Sequence, residues 1–214
     1  MKLLIDNQLF ICVNGIKDSI KKESIVVEQF TPYQKEKFLN RYVIVGPNGP
    51  IHLSIPLLGG RHQHVAIKEV KICNAERWQL NHWKSIQSAY NRSPWFEYYR
   101  DSLFLLFTRS YNFLYDFNWA CWQWCLQQLK YDIVLEETKS WQKNYPEHEF
   151  LDRRGASFTL KNWGNDISSN NQEDIKLVKY TQVFEDKIGF IYNVSMLDLL
   201  FCEGPNALAI LHVD

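Results

Sequence analysis

The stretch KLLIDNQLFICVNGIKDSIKKESIVVEQF, residues 2–30, decides the fold of this chain. Leu3, Leu4 and Ile5 form a short apolar run that predicts a strand, and the run of β-branched residues at 25–27 indicates a second strand that is covered on both faces. Between them, over residues 9–22, apolar side chains recur at the spacing of a helix. A strand, a helix and a strand in this order predict a β-α-β unit, with a right-handed crossover if the strands are parallel.

A β-hairpin is predicted after this unit. Apolar residues 42–45 and 51–55 flank the sequence Gly46-Pro47-Asn48-Gly49-Pro50, and Asn-Gly between two apolar runs is a strong hairpin signal. Pro50 predicts a loop of more than two residues. Residues 65–72 alternate between apolar and polar and predict a third strand, which would extend the hairpin into a meander.

The second half of the chain is predicted to be mainly helical. Residues 78–90 carry apolar side chains at helical spacing, and residues 95–115 and 116–129 predict two long aromatic helices, followed by a strand at 132–136. Ser195 has the position of an N-cap before an apolar helix, with Asp198 as the acidic residue of a capping box, and residues 207–211 predict a last helical turn. Residues 138–180 have few apolar positions and predict a long, mobile loop.

These patterns together predict an α/β (α+β mixed) fold in one domain over residues 1–214. It has a mixed β-sheet with an antiparallel hairpin or meander, packed by long aromatic-rich helices.

Composition excludes several classes of protein. Lys plus Arg number 24 and Asp plus Glu number 24 in 214 residues, so the formal net charge is zero and nucleic acid is not an expected partner. Apolar runs are far shorter than the about 20 residues that span a bilayer, so no membrane span is expected. The first residues do not have the pattern of an export signal, and five cysteines fit no disulfide framework, so we expect reduced cysteines and a cytoplasmic location.

Aromatic residues make up 15% of the chain, with 8 Trp, 11 Tyr and 13 Phe. Two interpretations are open: an aromatic core, or a cleft whose rings stack on sugars or nucleotide bases. The strong signatures of P-loop enzymes, dinucleotide oxidoreductases, α/β-hydrolases and zincins are absent. His62 and His64 flank Gln63 without an evident third ligand, so no metal and no cofactor are expected.

Polar residues among apolar stretches are the candidate site residues. The first cluster lies between two predicted strands and could bind a phosphate or carboxylate, or be a solvated turn; it comprises Tyr33, Gln34, Lys35, Asn40 and Arg41. In the second cluster, His82 could be a general base or a core histidine, next to Trp83 and two turns before Tyr90. Asp116 and Asn118 fit helix caps, and a third cluster contains Ser195, Asp198 and Glu203.

The chain resembles the WbqC-like protein family over almost its whole length. The stretches that carry the resemblance are YQKEKFLNR (33–41), LSIP (53–56), Trp78, HW (82–83), AY (89–90), SPWFEYY (93–99), DFN (116–118), YTQVF (180–184), GF (189–190) and SMLDLLFCEGP (195–205). Many relatives have His-Gln-Pro after the first strand, where this chain has Asp6-Asn7-Gln8, and Cys12 stands where a proline is common.

The resemblance implies a transferase in bacterial O-antigen or surface-polysaccharide biosynthesis that attaches an acyl or aminoacyl (glycyl) group to an amino sugar. Under this hypothesis Lys35 and Arg41 hold an anionic portion of a substrate, and His82 takes a proton from the attacking amine. Asp116, Asn118 and the second catalytic candidate, Asp198, orient hydroxyl groups. The other substrate-binding candidates are Tyr33, Gln34, Asn40, Trp83, Tyr90 and Glu203.

The alternative function is a non-catalytic module that binds a sugar or nucleotide sugar within a polysaccharide assembly complex. Under both hypotheses the partner is a small molecule. The aromatic content also suggests a homo-oligomer.

Overall fold

The structure is a computed structural model that describes residues 1–37, 39–60, 63–155 and 178–213. The strands are β1 (Lys2–Asp6), β2 (Ser24–Glu28), β3 (Arg41–Gly46), β4 (Gly49–Ser54), β5 (Val134–Glu137) and β6 (Phe150–Asp152). The helices are α1 (Val13–Lys17), α2 (Trp78–Tyr90), α3 (Phe96–Thr108), α4 (Leu114–Leu129), α5 (Glu185–Ile188), α6 (Met196–Glu203) and α7 (Ala207–Leu211).

Four of the strands form a parallel sheet in the order β5-β2-β1-β6. Leu3 pairs with Ile25 and Leu4 with Val26, so the two apolar runs of the opening sequence lie side by side at the centre of the sheet. All five residues of β2 are buried, which confirms that this strand is covered on both faces.

The helix predicted over residues 9–22 is much shorter than expected. Only α1 is helical, although Phe10, Ile16 and Ile20 are buried as the pattern required. Cys12 forms an antiparallel bridge with Ser195, and the Val13 amide donates to the Val194 carbonyl at 3.0 Å. These tertiary hydrogen bonds hold Cys12, the residue before α1, in an extended conformation, so the backbone there does not close a helical turn.

The hairpin is present, but the prediction that Pro50 lengthens its loop is wrong. Gly46 pairs with Gly49, so the loop has two residues, Pro47 and Asn48. Proline has no backbone N–H to donate across the hairpin. Pro50 nevertheless fits inside β4, because the amide of its partner Val45 donates to the Tyr90 hydroxyl at 3.0 Å and not to Pro50.

The predicted third strand of the meander is not formed. Residues 65–72 contain a 3-10 turn at Ile67–Glu69, between an isolated bridge from Pro32 to Ala66 and another from Leu57 to Ile72. The backbone of this segment bonds to several different elements, and alternation of side chains by itself does not specify one strand partner.

The predicted loop at 138–180 contains the edge strand β6, which pairs with β1 in parallel. This strand was missed because its three residues include only two apolar ones, Phe150 and Leu151. Residues 156–177 of the predicted mobile segment lie outside the described residues.

The aromatic helices pack around β3 and the sheet. Phe10, Trp78, Phe107 and Phe117 belong to one large apolar core, whereas Val43 and Val45 on the other face of β3 form a small second core with Ile191 and Val194. The mixed α/β fold class is therefore confirmed, with the parallel and antiparallel strands divided between two sheets. Within the described residues, no helix is both long and apolar enough to cross a membrane.

Candidate functional site

A cleft of about 390 Å³ lies between the β3–β4 hairpin and α2, and its volume falls in the range of small-molecule sites. We call it the hairpin cleft. Its lining combines an aromatic ring, an arginine, a carboxylate and amides, which is a chemistry suited to a polar ligand. The lining residues are Asn40, Arg41, Ser54, Ile55, Pro56, Leu57, Gly60, Glu76, Trp78, Asn81 and His82.

Asn40 is fixed at the base of the hairpin. Its amide nitrogen donates to the Ile55 carbonyl at 2.8 Å, and its side-chain oxygen accepts a hydrogen bond from the Tyr33 hydroxyl at 2.9 Å. Tyr33 is buried and does not line the cleft. The hydrogen bond from buried Tyr33 therefore fixes the Asn40 side chain. Asn40 in turn positions the start of β3, where Arg41 lies.

His82 is also held tightly. Its Nε2 lies 3.2 Å from the Ser54 carbonyl oxygen and its Nδ1 lies 3.2 Å from the Tyr42 hydroxyl. A carbonyl can only accept, so Nε2 carries the proton and Nδ1 accepts from Tyr42. Burial lowers the pKa of His82 to about 4, against the opposing effect of the bond to Ser54. The imidazole is therefore neutral at pH 7, and its lone pair is used within the protein.

The two charged residues of the cleft are Arg41, which is half-buried, and Glu76, which is exposed. The positive charge of Arg41 acts with desolvation to lower the pKa of nearby His52, so its electrostatic influence extends along the hairpin. A guanidinium can bind a phosphate or carboxylate through two parallel hydrogen bonds. An exposed carboxylate can accept a proton or a hydroxyl hydrogen bond from a ligand.

Asp198 lies elsewhere, in a buried polar cluster with Tyr90, Tyr180 and Gln182. Its carboxylate accepts hydrogen bonds from the two tyrosine hydroxyls at 2.6 Å each and from the Gln182 amide at 2.8 Å. Burial raises the pKa of Asp198, and these three hydrogen bonds partly offset that effect. The cluster ties α2 and α6 to the segment before α5, and neither Asp198 nor Tyr90 lines the hairpin cleft.

The expected capping box at the start of α6 does not form. Ser195 is the N-cap residue by position, but its hydroxyl makes no capping hydrogen bond. Asp198 cannot complete the box because its carboxylate is used in the buried cluster. Backbone pairing positions Ser195, since its amide donates to the Val43 carbonyl at 2.9 Å.

The remaining predicted site residues are dispersed. Trp83 packs among aromatic rings of α3, with its ring centroid 4.8 Å from that of Phe104. Glu203 accepts from the Thr181 amide at 3.1 Å. Gln34 is exposed and Lys35 half-buried in the turn before β3, and neither lines the cleft.

Asp116 and Asn118 lie in the first two turns of α4. Asp116 is exposed, and partial desolvation together with the charge of Glu137 raises its pKa. Asn118 is fully buried, and its amide nitrogen lies 2.8 Å from both Asn7 Oδ1 and the Leu39 carbonyl oxygen.

The structure therefore brings Asn40, Arg41 and His82 together in one cleft and leaves the other predicted residues outside it. Sequence reasoning missed Ser54, Glu76 and Asn81 as cleft residues. LSIP and Trp78 were singled out only as parts of the resemblance. Glu76 lies six residues before His82, ahead of α2, and Asn81 directly precedes His82. Helical spacing could have identified Trp78, four residues before His82, as its neighbour on α2.

Among the described residues, no group of three or more His, Cys, Asp or Glu side chains could hold a metal ion. The structure is that of an α/β protein with a polar cleft beside an antiparallel hairpin. Residues 18–153 match the model of the WbqC-like protein family. This match covers more than half of the chain, and the chain therefore belongs to that family. No curated protein and no solved structure matches the chain.

Proposed function

We propose that this chain is a transferase of surface-polysaccharide biosynthesis that binds a nucleotide- or lipid-linked amino sugar in the hairpin cleft and acylates its amino group. The observation that carries the proposal is the meeting of Arg41, Asn40 and Trp78 in one cleft of small-molecule size. Arg41 supplies the charge for a phosphate, Asn40 and Asn81 supply amides for hydroxyl groups, and Trp78 supplies an apolar ring.

The proposed reaction uses an activated acyl donor of the thioester class. The lone pair of the sugar amine forms a bond to the acyl carbon, the carbon–sulfur bond breaks, and the thiolate leaves with its electron pair. The amine nitrogen gives up one proton, which passes to the thiolate. The cleft residue that carries this proton is Glu76, because its exposed carboxylate can accept it, whereas the lone pair of His82 already accepts from Tyr42.

Binding through Arg41 is the first test. Isothermal titration with UDP-N-acetylglucosamine should show at least tenfold weaker binding to Arg41→Ala than to the wild type, because a hydrogen bond to a charged group contributes about 1.5–3 kcal/mol. Arg92→Ala is the matched control, since it removes the same charge from a different cleft. Equal binding by Arg41→Ala and the wild type would remove the hairpin cleft from the proposal.

Transfer is the second test. With UDP-glucosamine and an acyl or glycyl thioester, mass spectrometry should detect the N-acylated product, and Glu76→Gln should lower turnover by about 10² to 10⁴. His82→Gln, which retains an amide for the Ser54 carbonyl, should lower it less. A larger loss in His82→Gln than in Glu76→Gln would return the role of base to the histidine.

A non-catalytic sugar-binding module is the second candidate function. The observation that favours it is the neutral and fully bonded state of His82, because a binding cleft needs fixed hydrogen-bonding groups and no proton carrier. Binding of UDP-N-acetylglucosamine that depends on Arg41, without product from any thioester, would support this candidate.

A further inference from the structure

A second cleft lies at the tip of the hairpin, where the loop between β3 and β4 approaches the end of α2. We call it the tip cleft. Its volume of about 510 Å³ exceeds that of the hairpin cleft and falls in the range of small-molecule sites. It lies between Pro47 of the hairpin loop, the last turn of α2 and Phe184, which precedes α5. Apart from Ala89, its lining residues are exposed or half-buried, so a small molecule can enter it.

The tip cleft has a positive charge. Among the described residues that line it, Arg92 is the charged one, and none of them is a carboxylate. A second cation is close to the same loop, because Lys187 Nζ lies 3.4 Å from the side-chain oxygen of Asn48, the residue after Pro47. The lining of the hairpin cleft, in contrast, also contains the carboxylate of Glu76. A ligand that carries a phosphate therefore suits the tip cleft, since a guanidinium binds a phosphate through parallel hydrogen bonds.

The negative pole of the α2 dipole lies beside this cleft and would oppose an anion. Tyr90 is the last residue of α2, and its carbonyl accepts from both the amide and the hydroxyl of Ser93, at 2.8 Å each. These two hydrogen bonds satisfy a carbonyl that the helix itself leaves without a partner. Together with the full positive charge of Arg92, they offset the partial charge of the helix end.

An aromatic ring lies beside this positive charge. The Phe184 carbonyl accepts from the amides of Lys187 and Ile188 at 3.0 and 3.1 Å, and its side chain packs against the small second core. Two residues earlier, Gln182 is fixed by its hydrogen bond to the Asp198 carboxylate at 2.8 Å. Phe184 is therefore held in place before any ligand binds. A ring next to a guanidinium is a combination that binds a nucleotide, through stacking on the base and a bond to the phosphate.

The two clefts lie along one face of α2. Asn81 lines the hairpin cleft and Ser88 lines the tip cleft, and these residues are two helical turns, about 10 Å, apart. Between them lie Lys84 and the short side chain of Ser85, whose hydroxyl donates to the Asn81 carbonyl at 3.0 Å. Residues 78–90 contain no acidic residue. An extended molecule with polar or anionic groups can therefore lie along this face, with one end in each cleft.

We infer that the tip cleft binds the nucleotide part of the acyl donor, a thioester of the coenzyme A class, with Arg92 on a phosphate and Phe184 against the base. The pantetheine arm of the donor passes Ser85 and brings the acyl carbon to the amino sugar in the hairpin cleft. The nitrogen–carbon bond forms there, the carbon–sulfur bond breaks, and the amine proton passes to the leaving thiolate. Binding of a nucleotide follows from the tip cleft alone, whereas its identity as the acyl donor rests on the proposed function.

Isothermal titration with coenzyme A tests the charge. Coenzyme A should bind Arg92→Ala at least tenfold more weakly than the wild type, because a hydrogen bond to a charged group is lost. Arg41→Ala is the matched control, since it removes the same charge from the hairpin cleft, and it should bind coenzyme A as the wild type does. UDP-N-acetylglucosamine should show the reverse dependence. Equal binding of coenzyme A by Arg92→Ala and the wild type would overturn the inference.

The ring is tested with Phe184→Leu, which keeps an apolar side chain for the second core. Coenzyme A should bind this variant at least about fivefold more weakly, because stacking on the base is lost. Phe104→Leu, which removes an exposed ring outside both clefts, should bind it as the wild type does. Phosphopantetheine has the phosphate and the arm but no base. If it binds the wild type as tightly as coenzyme A does, the arm of a carrier is the ligand and the nucleotide assignment is overturned.

The failures of the two proposals can be told apart. If coenzyme A binds through Arg92 but UDP-N-acetylglucosamine does not bind through Arg41, the acceptor site fails and the tip cleft stands. If coenzyme A does not bind the wild type but the UDP-sugar still binds through Arg41, this inference is overturned and the hairpin cleft stands. Loss of UDP-sugar binding in Arg92→Ala would assign the tip cleft to the acceptor and would also overturn the inference.

Discussion

At the scale of the residue, the same side chain can serve packing or chemistry, and its hydrogen-bond partners decide which. From its position on one face of a helix, His82 could be a general base or a core histidine, and the resemblance implies the base. In the structure its two ring nitrogens join Tyr42 of β3 to the carbonyl of Ser54 at the end of β4. The histidine therefore fastens α2 to the hairpin and shapes the cleft. Its predicted role as the base stays open to the turnover test above.

The low pKa of His82 predicts a dependence of stability on pH. The pKa of about 4 in the folded protein lies below the ordinary value of 6.5, so the unfolded chain binds the proton more tightly. The contribution of neutral His82 to the unfolding free energy is therefore fully present above pH 6.5. It falls by about 3 kcal/mol in total as the pH falls towards 4. Between these two pH values, the unfolding free energy from urea titration should fall by about 3 kcal/mol less in His82→Gln than in the wild type.

The control for this measurement is His212→Gln, which changes an exposed histidine at the end of the chain. It should show the same fall as the wild type. An equal fall in His82→Gln and the wild type would contradict the neutral, buried state of His82.

At the scale of the element, β6 shows how a strand too short to be predicted is stabilised. Arg154 follows this strand, and its guanidinium bonds Glu28 at the end of β2, Asp152 of β6 and the carbonyls of Gln142 and Lys143. The same group lies 4.9 Å above the ring of Tyr145. One arginine therefore fastens the edge of the sheet to a more central strand.

Loss of this arginine should be costly. Arg154→Met leaves the fully buried Glu28 without its cation, and breaking a buried ion pair from one side costs about 3–5 kcal/mol. The surface pair of Arg100 and Asp101, with side chains 41% and 86% exposed, supplies the control. Arg100→Met should change the unfolding free energy by about 1 kcal/mol or less. Equal effects of the two variants in urea unfolding would show that the Arg154 contacts do not stabilise the sheet.

At the scale of the whole molecule, the aromatic residues serve mainly the core. Trp122, Tyr42, Tyr90, Tyr99 and Phe96 are among its largest fully buried side chains. Trp78 also lines the hairpin cleft, so the two interpretations of the aromatic content are compatible at this residue. The predicted homo-oligomer stays a prediction. Exposed apolar side chains on α2 and α3, at Leu80, Phe104 and Leu105, are a surface that could serve it.

Sequence patterns predicted the elements whose burial is periodic. The apolar runs of β1 and β2, the hairpin and the buried face of α2 were all predicted, because a strand or helix with a covered face carries that periodicity in its side chains. The patterns failed at residues 9–12, because backbone hydrogen bonds to the segment before α6 replace helical ones there. They also failed at β6, because this strand is held in place by Asp152, Arg154 and their partners.

The candidate sites divide in the same way. The sequence by itself determined the family, the α/β class and three residues that meet in the hairpin cleft, because these follow from local pattern and from motif order. Only the tertiary structure decided that Asp198 is enclosed by two tyrosines and a glutamine, that the lone pair of His82 is occupied, and that the Asn7 and Asn118 side chains meet. Hydrogen-bond partners 16 to 111 residues apart in the chain leave no local pattern, so they become evident only when the folded backbone brings them together.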